Sequence, residues 1–116
     1  YEKEVVAVTD LQTYSYPERG FQKNNTNALL GIIPAVDGIK TGYTGNAGYC
    51  LAFSMVVDKD EKNEIRHRMI GVVLGTNHKD KRLSASLSLL KYGKENFSFS
   101  IIEECEINLL NEKYRR

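Results

Sequence analysis

A dense run of glycines surrounds one short polar tripeptide in this sequence. Four glycines lie within eleven residues: Gly38, Gly42, Gly45 and Gly48. Lys40 and Thr41 stand directly before Gly42. A lysine ammonium and a threonine hydroxyl presented together at a strand edge can hold a carboxylate, and the adjacent glycine lets the backbone lie close to a ligand. A Lys-Thr-Gly tripeptide also occurs by chance on protein surfaces, so its surroundings decide between binding and chance.

The glycine-rich segment does not match the loops that bind phosphate. A P-loop needs a glycine directly before its lysine, and Ile39 stands before Lys40. The GxGxxG spacing of dinucleotide sites is absent as well. The charge balance of 16 Lys+Arg against 15 Asp+Glu argues against a basic nucleic-acid-binding face. We therefore expect no nucleotide or nucleic-acid partner.

The histidines and cysteines do not indicate a metal site. His67 and His78 have no glutamate partner at the spacing of zinc peptidases, so we expect one at a strand end and the other in a loop. Cys50 and Cys105 are far apart and form no CxxC pattern. Cys50 also lies in an apolar run, which favours two reduced, buried thiols over a disulfide.

Three segments are predicted to form an antiparallel meander that positions the tripeptide. Residues 36–43 alternate as a strand. This alternation predicts one face with Val36, Gly38, Lys40 and Gly42, and another with Asp37, Ile39, Thr41 and Tyr43. Residues 49–57 are almost continuously apolar, as in a strand covered on both faces, so further protein is expected against this sheet. A charged loop at 58–64 leads to a returning strand at 67–74.

Helices are predicted on both sides of this meander in sequence. Residues 1–9 have the character of the last turns of one helix, and the Asn-Asn-Thr-Asn run at 24–27 suits a chain reversal. The second helix is predicted to begin with Asn77 as N-cap and Asp80 at N3. It is predicted to end at Gly93 as the C′ residue. Its buried stripe is predicted to contain Leu83, Leu87 and Leu90. The fold class is therefore α+β, an antiparallel sheet packed with helices.

The overall numbers fit one ordered domain. The chain has 116 residues, of which 41% are hydrophobic and 27% charged, which is typical of a globular protein. No apolar run approaches the roughly 18 residues of a membrane-spanning helix. The chain opens at Tyr1 without an initiator methionine or a signal sequence, so we expect a processed or excised product.

Three blocks of residues carry a specific resemblance. They are NTNALL at 25–30, VDGIKTGYT at 36–44 and AGYCL at 47–51. Together they resemble the D-alanyl-D-alanine carboxypeptidases, the low-molecular-mass penicillin-binding proteins that share their fold with serine β-lactamases. The likeness continues through residues 72–75, Arg82 and residues 89–93. It covers residues 1–97, and residues 98–116 are expected to be a tail or the start of a following segment.

The family uses three elements in chain order, S-x-x-K with the nucleophile, S-x-N and K-T-G, and only the third has a convincing counterpart here. Ser88 and Lys91 match S-x-x-K, but they fall late in a helix after the K-T-G strand. We therefore reject Ser88 as the nucleophile. No S-x-N occurs in the 116 residues. The resemblance implies the C-terminal part of a β-lactamase/transpeptidase-like catalytic domain, inactive as an isolated chain.

The resemblance also implies roles for individual residues. Lys40 would anchor the terminal carboxylate of the substrate and contact the S-x-N serine, and Thr41 would donate a hydrogen bond to that carboxylate. Gly42 would lie beside the substrate, and the backbone N–H of Tyr43 would complete an oxyanion hole. Arg82 would add positive field near the carboxylate, although a solvated first-turn arginine is an equal alternative. Thr26 receives no role, and no metal or cofactor is expected.

Two classes of function follow from these observations. The first is a serine-type D-Ala-D-Ala carboxypeptidase that trims peptidoglycan stem peptides through an acyl-enzyme and binds penicillin. It would act in the periplasm or on the outer face of a bacterial cytoplasmic membrane. The alternative is a non-catalytic module, derived from that fold, that binds a carboxylate-ended peptide or a partner chain. In either case the strand at 67–74 is expected to be an open edge, which pairs with a missing N-terminal half or with a second copy.

Overall fold

Two antiparallel sheets and two α-helices make up the parts of the chain described by the structure, a computed structural model that covers residues 3–60 and 65–99. In chain order the elements are α1 (Lys3–Thr9), β1 (Thr13–Tyr16), β2 (Phe21–Asn24), β3 (Val36–Thr44), β4 (Gly48–Asp60), β5 (Ile65–Thr76) and α2 (Lys79–Asn96). The larger sheet has the order β3-β4-β5, and both of its strand pairs are antiparallel. The predicted α+β meander is confirmed.

Strands β4 and β5 extend further toward their connecting loop than the charged sequence predicts. The backbone of residues 58–60 belongs to β4 and that of residues 65–66 to β5. The predicted loop start at residue 58 is therefore wrong. A hairpin ladder can continue through charged residues because its hydrogen bonds join backbone groups. The remaining loop positions, residues 61–64, lie outside the described residues.

A small hairpin of β1 and β2 precedes the meander. Tyr16 pairs with Phe21 across a turn that contains the 3-10 helix Pro17–Arg19. Gly20 closes this turn with a φ of 59°, a conformation that glycine adopts without steric cost. Every residue of the two strands is exposed, so the hairpin lies outside the core. It leads the chain into the loop that supports β3.

The hydrophobic core lies between one face of the meander and α2. Its β4 residues alternate along the strand and are at most 2% exposed: Leu51, Phe53 and Met55. Burial of side chains of this size stabilises a protein by about 1.5–3 kcal/mol each. Leu90 of α2 is buried in the same cluster, and Leu83 and Leu87 pack against it. The leucine stripe predicted from the sequence is confirmed.

Both predicted ends of α2 are wrong by a few residues. The N-cap is His78 rather than Asn77, and its Nδ1 accepts a hydrogen bond from the N–H of Asp80 at 3.2 Å. Gly93 lies inside the helix, which continues to Asn96. A Cβ at Gly93 would lie 2.9 Å from the sulfur of Met69 on β5. This glycine therefore allows the helix to approach the sheet closely, and it does not terminate the helix.

A β-bulge near the start of β3 changes the predicted alternation of side chains. Val36 pairs with Met55 and Gly38 with Ser54, so two steps along β3 match one step along β4. Asp37 is the extra residue of the bulge. The two pairs lie on opposite faces because neighbouring β4 residues do. The prediction that Val36 shares the face of Gly38, Lys40 and Gly42 is therefore wrong.

Asp37 is also on a different face from the one predicted. Its carboxylate accepts a hydrogen bond from Ser54, and Ser54 pairs with Gly38. Asp37 thus lies on the face of Gly38 and Lys40, away from α2. Regular alternation had no means of placing it there, because the bulge adds one residue to β3 only.

The described chain ends at Phe99, whose ring stacks on that of His67 with the centroids 5.0 Å apart. Residues 100–116 lie outside the described residues, so the domain boundary at residue 97 stays a prediction. None of the helices in the described ranges is long and apolar enough to cross a membrane.

Candidate functional site

The Lys-Thr-Gly segment lies on β3, which is an edge strand among the described residues. Lys40 pairs with Ala52 and Thr41 with the core residue Leu51, so their side chains leave opposite faces of the strand. Lys40 is exposed, and its Nζ donates a hydrogen bond to the carbonyl oxygen of Thr41 at 2.5 Å. Thr41 is half-buried on the face that α2 covers. The ammonium and the hydroxyl therefore flank the strand from two sides.

Thr26 is a contact of Thr41 that the sequence does not reveal. Their Oγ1 atoms are 2.5 Å apart, so one hydroxyl donates to the other. If Thr26 is the donor, the hydroxyl hydrogen of Thr41 stays available for another acceptor. Thr26 precedes the 3-10 helix Ala28–Gly31, and it lies 15 positions before Thr41 in sequence. Its place within the NTNALL block is the one sequence signal that points to it.

Arg82 is brought to the same end of β3, where it contacts the loop. Its Nη2 donates a hydrogen bond to the carbonyl oxygen of Thr26 at 3.2 Å. Its guanidinium carbon lies 5.8 Å from the centroid of the Tyr49 ring, within the range of a cation–π interaction. Arg82 is in the first turns of α2, so the packing of α2 on the sheet determines where this charge lies. Thr26 connects it to Thr41.

Two asparagines of the predicted chain reversal bond the neighbouring backbone, and one of them, Asn27, also bonds β3. Asn27 is 4% exposed, and its Nδ2 donates to the carbonyl oxygen of Gly38 at 3.1 Å. Its Oδ1 accepts from the N–H of Leu29 at 3.2 Å, which caps the 3-10 helix. Asn25 donates to the carbonyl oxygen of Leu11 at 2.9 Å and accepts from the N–H of Asn27 at 3.0 Å. The sequence predicts the local bonds but not the bond to Gly38.

Gly42 has free space beside its α-carbon. A Cβ built at this position would meet Cys50 at 3.9 Å, which is ordinary van der Waals contact. Cys50 is a half-buried free thiol. Among the described residues, packing therefore does not require a glycine at position 42. The exposed backbone there can be approached by a ligand.

An aromatic pair closes the end of β3. Tyr43 pairs with Tyr49 in the register, and their ring centroids are 4.3 Å apart at an interplanar angle of 35°. Tyr49 also lies 6.2 Å from the ring of His78. A cross-strand aromatic pair contributes roughly 0.2–1 kcal/mol. The pair holds the two strands together at the Tyr43 backbone, where the family resemblance implies an oxyanion hole.

Lys40 and Arg82 carry positive charge that no salt bridge neutralises within residues 3–60 and 65–99. The ion pairs of this part of the chain all join other residues. Uncompensated cations around one strand end produce a positive local potential, which attracts anions. With the hydroxyl of Thr41, the arrangement is suited to holding a carboxylate.

Ser88 lies away from this site. It is an exposed residue in the middle of α2, not late in the helix as predicted, because the helix continues to Asn96. Lys91 on the same helix lies 3.8 Å from Glu95. A nucleophile needs a base within hydrogen-bond reach and a substrate site beside it. The lysine that completes the S-x-x-K match pairs with a surface glutamate, which supports the rejection of Ser88.

A family model and curated relatives agree with the sequence resemblance. The model described as D-alanyl-D-alanine carboxypeptidase matches residues 1–78. The D-alanyl-D-alanine carboxypeptidase DacF of Bacillus subtilis is 37% identical over 86 residues, which are 74% of this chain and 19% of that protein. The D-alanyl-D-alanine carboxypeptidase DacD of Escherichia coli is 35% identical over 80 residues, which are 68% of this chain and 19% of that protein. The chain thus spans about a fifth of the length of these relatives.

Solved structures show the same fold. Penicillin-Binding Protein D2 from Listeria monocytogenes, in its cefotaxime-bound form, superposes with a TM-score of 0.64 at 32% identity, covering 78% of this chain and 33% of that one. The Streptomyces K15 DD-transpeptidase also gives a TM-score of 0.64, at 25% identity, covering 79% of this chain and 36% of that one. The matched part of this chain therefore corresponds to about a third of each of these chains.

Proposed function

This chain belongs to the D-alanyl-D-alanine carboxypeptidase family, and from that premise we propose that the intact protein is a serine-type D-Ala-D-Ala carboxypeptidase. It removes the terminal D-Ala from peptidoglycan stem peptides through an acyl-enzyme, outside the bacterial cytoplasmic membrane. The observation that carries this proposal is the β3 edge, where Lys40 has no salt-bridge partner among the described residues and Thr41 presents a hydroxyl.

In this proposal the substrate lies along the outer edge of β3. Its terminal carboxylate accepts hydrogen bonds from Lys40 Nζ and from the Thr41 hydroxyl, which are strong because the acceptor is charged. Thr26 donates to Thr41 and so directs the Thr41 hydrogen toward the substrate. Arg82 contacts the carbonyl oxygen of Thr26 rather than the substrate, and it adds positive potential to the site. The free space beside Gly42 admits the peptide backbone.

The chemical step in this proposal needs a serine that the 116 residues do not provide. That serine, from an S-x-x-K element elsewhere in the intact protein, attacks the carbonyl carbon of the penultimate residue. The negative charge that develops on the carbonyl oxygen is stabilised by the Tyr43 backbone N–H and the N–H of the nucleophile. D-Ala leaves, and water then hydrolyses the ester. Since the Listeria relative is known in a cefotaxime-bound form, we extend the proposal to β-lactams as acylating ligands.

The outer edge of β5 is covered by further polypeptide of the intact protein in this proposal. Among the described residues no strand pairs with that side of β5. An apolar groove of about 320 Å³ runs between β5 and α2, with Met69, Leu89 and Phe97 in its lining. About two-thirds of the chain of each solved relative lies outside the matched part, which provides material for the missing cover. Self-association through β5 is the competing outcome.

Acylation by a fluorescent penicillin tests the proposed function in the intact protein. Lys40→Ala is expected to reduce the acylation rate constant by about a hundredfold or more, because it removes a charge that stabilises the transition state. Lys91→Ala is the matched control, since Lys91 is an exposed lysine of α2 that pairs with Glu95 on the same helix. Its rate should equal that of the wild type.

The same experiment has outcomes that contradict the proposal. An intact protein that forms no covalent adduct and releases no D-Ala from a stem peptide is a binding module, the alternative function. A Lys40→Ala rate within about twofold of the wild-type rate removes Lys40 from the site. This 116-residue chain alone should form no adduct in intact-mass measurements, and stoichiometric labelling of Ser88 would overturn its rejection.

A further inference from the structure

A cluster of polar side chains links the three strands of the meander. It lies near the start of β3, before the Lys-Thr-Gly segment. It consists of Asp37 on β3, Ser54 on β4 and Arg68 on β5, one residue from each strand. Asp37 Oδ1 accepts hydrogen bonds from Ser54 Oγ and from Arg68 Nη1, each at 2.6 Å. Arg68 also donates to Ser54 Oγ. The three side chains thus hydrogen-bond one another across the sheet.

The cluster is shielded from solvent. The side chains of Asp37 and Arg68 are 18% and 17% exposed, and Ser54 is 4% exposed. Ionic hydrogen bonds in such surroundings are screened less than at the surface. Removal of one partner leaves a poorly solvated charge, which makes the cluster sensitive to single substitutions.

Asp37 is the extra residue of the β3 bulge. The bulge shifts the alternation of side chains by one position, so it decides which face of β3 carries each later residue. Val36 lies in the core on one face, and Lys40 lies on the other because the bulge falls between them. A regular β3 paired from Val36 onward would direct Lys40 toward the core and Thr41 away from Thr26.

The backbone around the bulge also has hydrogen-bond partners, which lie outside β3. Thr9 Oγ1 donates to the carbonyl oxygen of Asp37 at 2.8 Å, and Asn27 Nδ2 donates to that of Gly38 at 3.1 Å. A Cβ at Gly38 would lie 2.6 Å from Thr9 Oγ1, so α1 packs directly on the bulge. The backbone bonds hold the peptide units, but the bonds that reach across all three strands come from the Asp37 side chain.

We propose that Asp37 is a positioning residue whose carboxylate, held by Ser54 and Arg68, maintains the bulge that places Lys40 and Thr41 on their faces of β3. The effect on catalysis rests on the proposed function, whereas the effect on strand register does not. Asp37 acts through Lys40 and does not touch the substrate. Loss of its carboxylate therefore weakens acylation by moving the ammonium.

Acylation kinetics of the intact protein test the catalytic side of this proposal. Asp37→Ala is expected to lower the acylation rate constant at least about tenfold at a temperature where the variant is fully folded. Asp37→Asn keeps an oxygen acceptor at the same position but loses the charge that faces Arg68, so it should recover part of the rate. Ser54→Ala removes two hydrogen bonds of the cluster but leaves the Asp37–Arg68 ion pair in place, so it should give a smaller loss.

Two controls separate positioning from a general loss of stability. Leu90→Ala truncates a core residue on the opposite face of the sheet from the cluster, and its rate constant should stay within about twofold of wild type despite a lower Tm. Glu95→Ala breaks an exposed ion pair and should change neither the acylation rate constant nor the Tm. An Asp37→Ala rate close to wild type, or an equal fall in Leu90→Ala, overturns the proposal.

Cross-strand NMR contacts test the register without any catalytic readout. In the wild type, Lys40 should show backbone contacts to Ala52, and Thr41 to Leu51, as in the register of the sheet. In Asp37→Ala these contacts should weaken or shift by one residue, and in Asp37→Asn they should persist. An intact protein without acylation contradicts the proposed function alone. An unchanged register in Asp37→Ala contradicts the inference about the bulge.

Discussion

The two edges of the meander are held by different kinds of interaction. The β3 edge is tied to the preceding segment by hydrogen bonds, from Thr9 to Asp37, from Asn27 to Gly38 and between Thr26 and Thr41. Beyond its strand ladder with β4 and the hydrogen bonds of Arg68, β5 packs on α2 by apolar contact, and it adjoins a groove of about 320 Å³. The candidate site lies on the hydrogen-bonded edge.

Strand β5 also exposes apolar side chains to solvent. Three apolar residues of β5 on the face away from α2 are 54–72% exposed: Ile70, Val72 and Leu74. Hydrogen bonds are directional and locate a backbone to a fraction of an ångström, whereas apolar contact is non-directional and stabilises in proportion to buried area. The described residues therefore position the backbone of β3 through directional bonds, whereas they leave one apolar face of β5 exposed.

The largest expected effect comes from breaking the apolar packing beneath β5. A Cβ at Gly71 would lie 2.1 Å from Cζ of Phe53, and Phe53 is 2% exposed. Gly71→Ala must therefore displace a core ring, which should cost about 3 kcal/mol of unfolding free energy. Chemical denaturation of the intact protein measures this loss.

Gly31→Ala is the matched control for the packing prediction, because nothing lies within 4 Å of a Cβ at that position. It should leave the unfolding free energy equal to wild type or raise it by up to about 1 kcal/mol. Equal stabilities for the Gly71 and Gly31 variants would contradict the view that packing holds β5.

A smaller loss of unfolding free energy is expected when the hydrogen bond from Asn27 to the β3 edge is removed. Asn27→Ala leaves the carbonyl of Gly38 and the N–H of Leu29 without their partner, which should cost about 2 kcal/mol. It should also slow acylation, because Gly38 precedes Lys40 by two residues. Asn24→Ala is the control, since within residues 3–60 and 65–99 the Asn24 side chain bonds only an exposed threonine, Thr13. Similar losses of stability and of acylation rate in both variants would show that the Asn27 hydrogen bonds do not position the site.

The smallest effect on stability is expected at the exposed face of β5. A substitution there should also change the self-association of the chain. Leu74→Lys changes a side chain that is 72% exposed, so the unfolding free energy should change by less than about 0.5 kcal/mol. In this 116-residue chain it should reduce self-association, because a lysine near an open edge opposes strand pairing. Sedimentation across a concentration series measures this.

Val5→Lys provides the comparison for association, since Val5 is 51% exposed on α1, away from β5. It should leave self-association unchanged. A chain that is monomeric at every concentration, with its β5 amides protected from hydrogen exchange, would show that the edge is covered by this chain itself.

Local patterns in the sequence were sufficient for much of the fold and for the place of the site. The apolar runs and the Leu83–Leu87–Leu90 spacing predict the meander and the buried face of α2, because strand and helix periodicities act over a few residues. The Lys-Thr-Gly segment and its flanking blocks identify the family. Lys40, Thr41, Gly42 and Tyr43 lie together on one strand, as their adjacency requires.

The sequence by itself determined which residues form the strands and which tripeptide lies at their edge, while the tertiary structure decided which way that tripeptide faces. Regular alternation put Lys40 on the side of Val36, but Asp37 forms a bulge whose partners, Ser54 and Arg68, are 17 and 31 positions away. Thr26 and Arg82 reach each other across 56 positions. Such contacts depend on how strands and helix pack, since a bulge or a long-range hydrogen bond leaves no periodic signal in the local sequence.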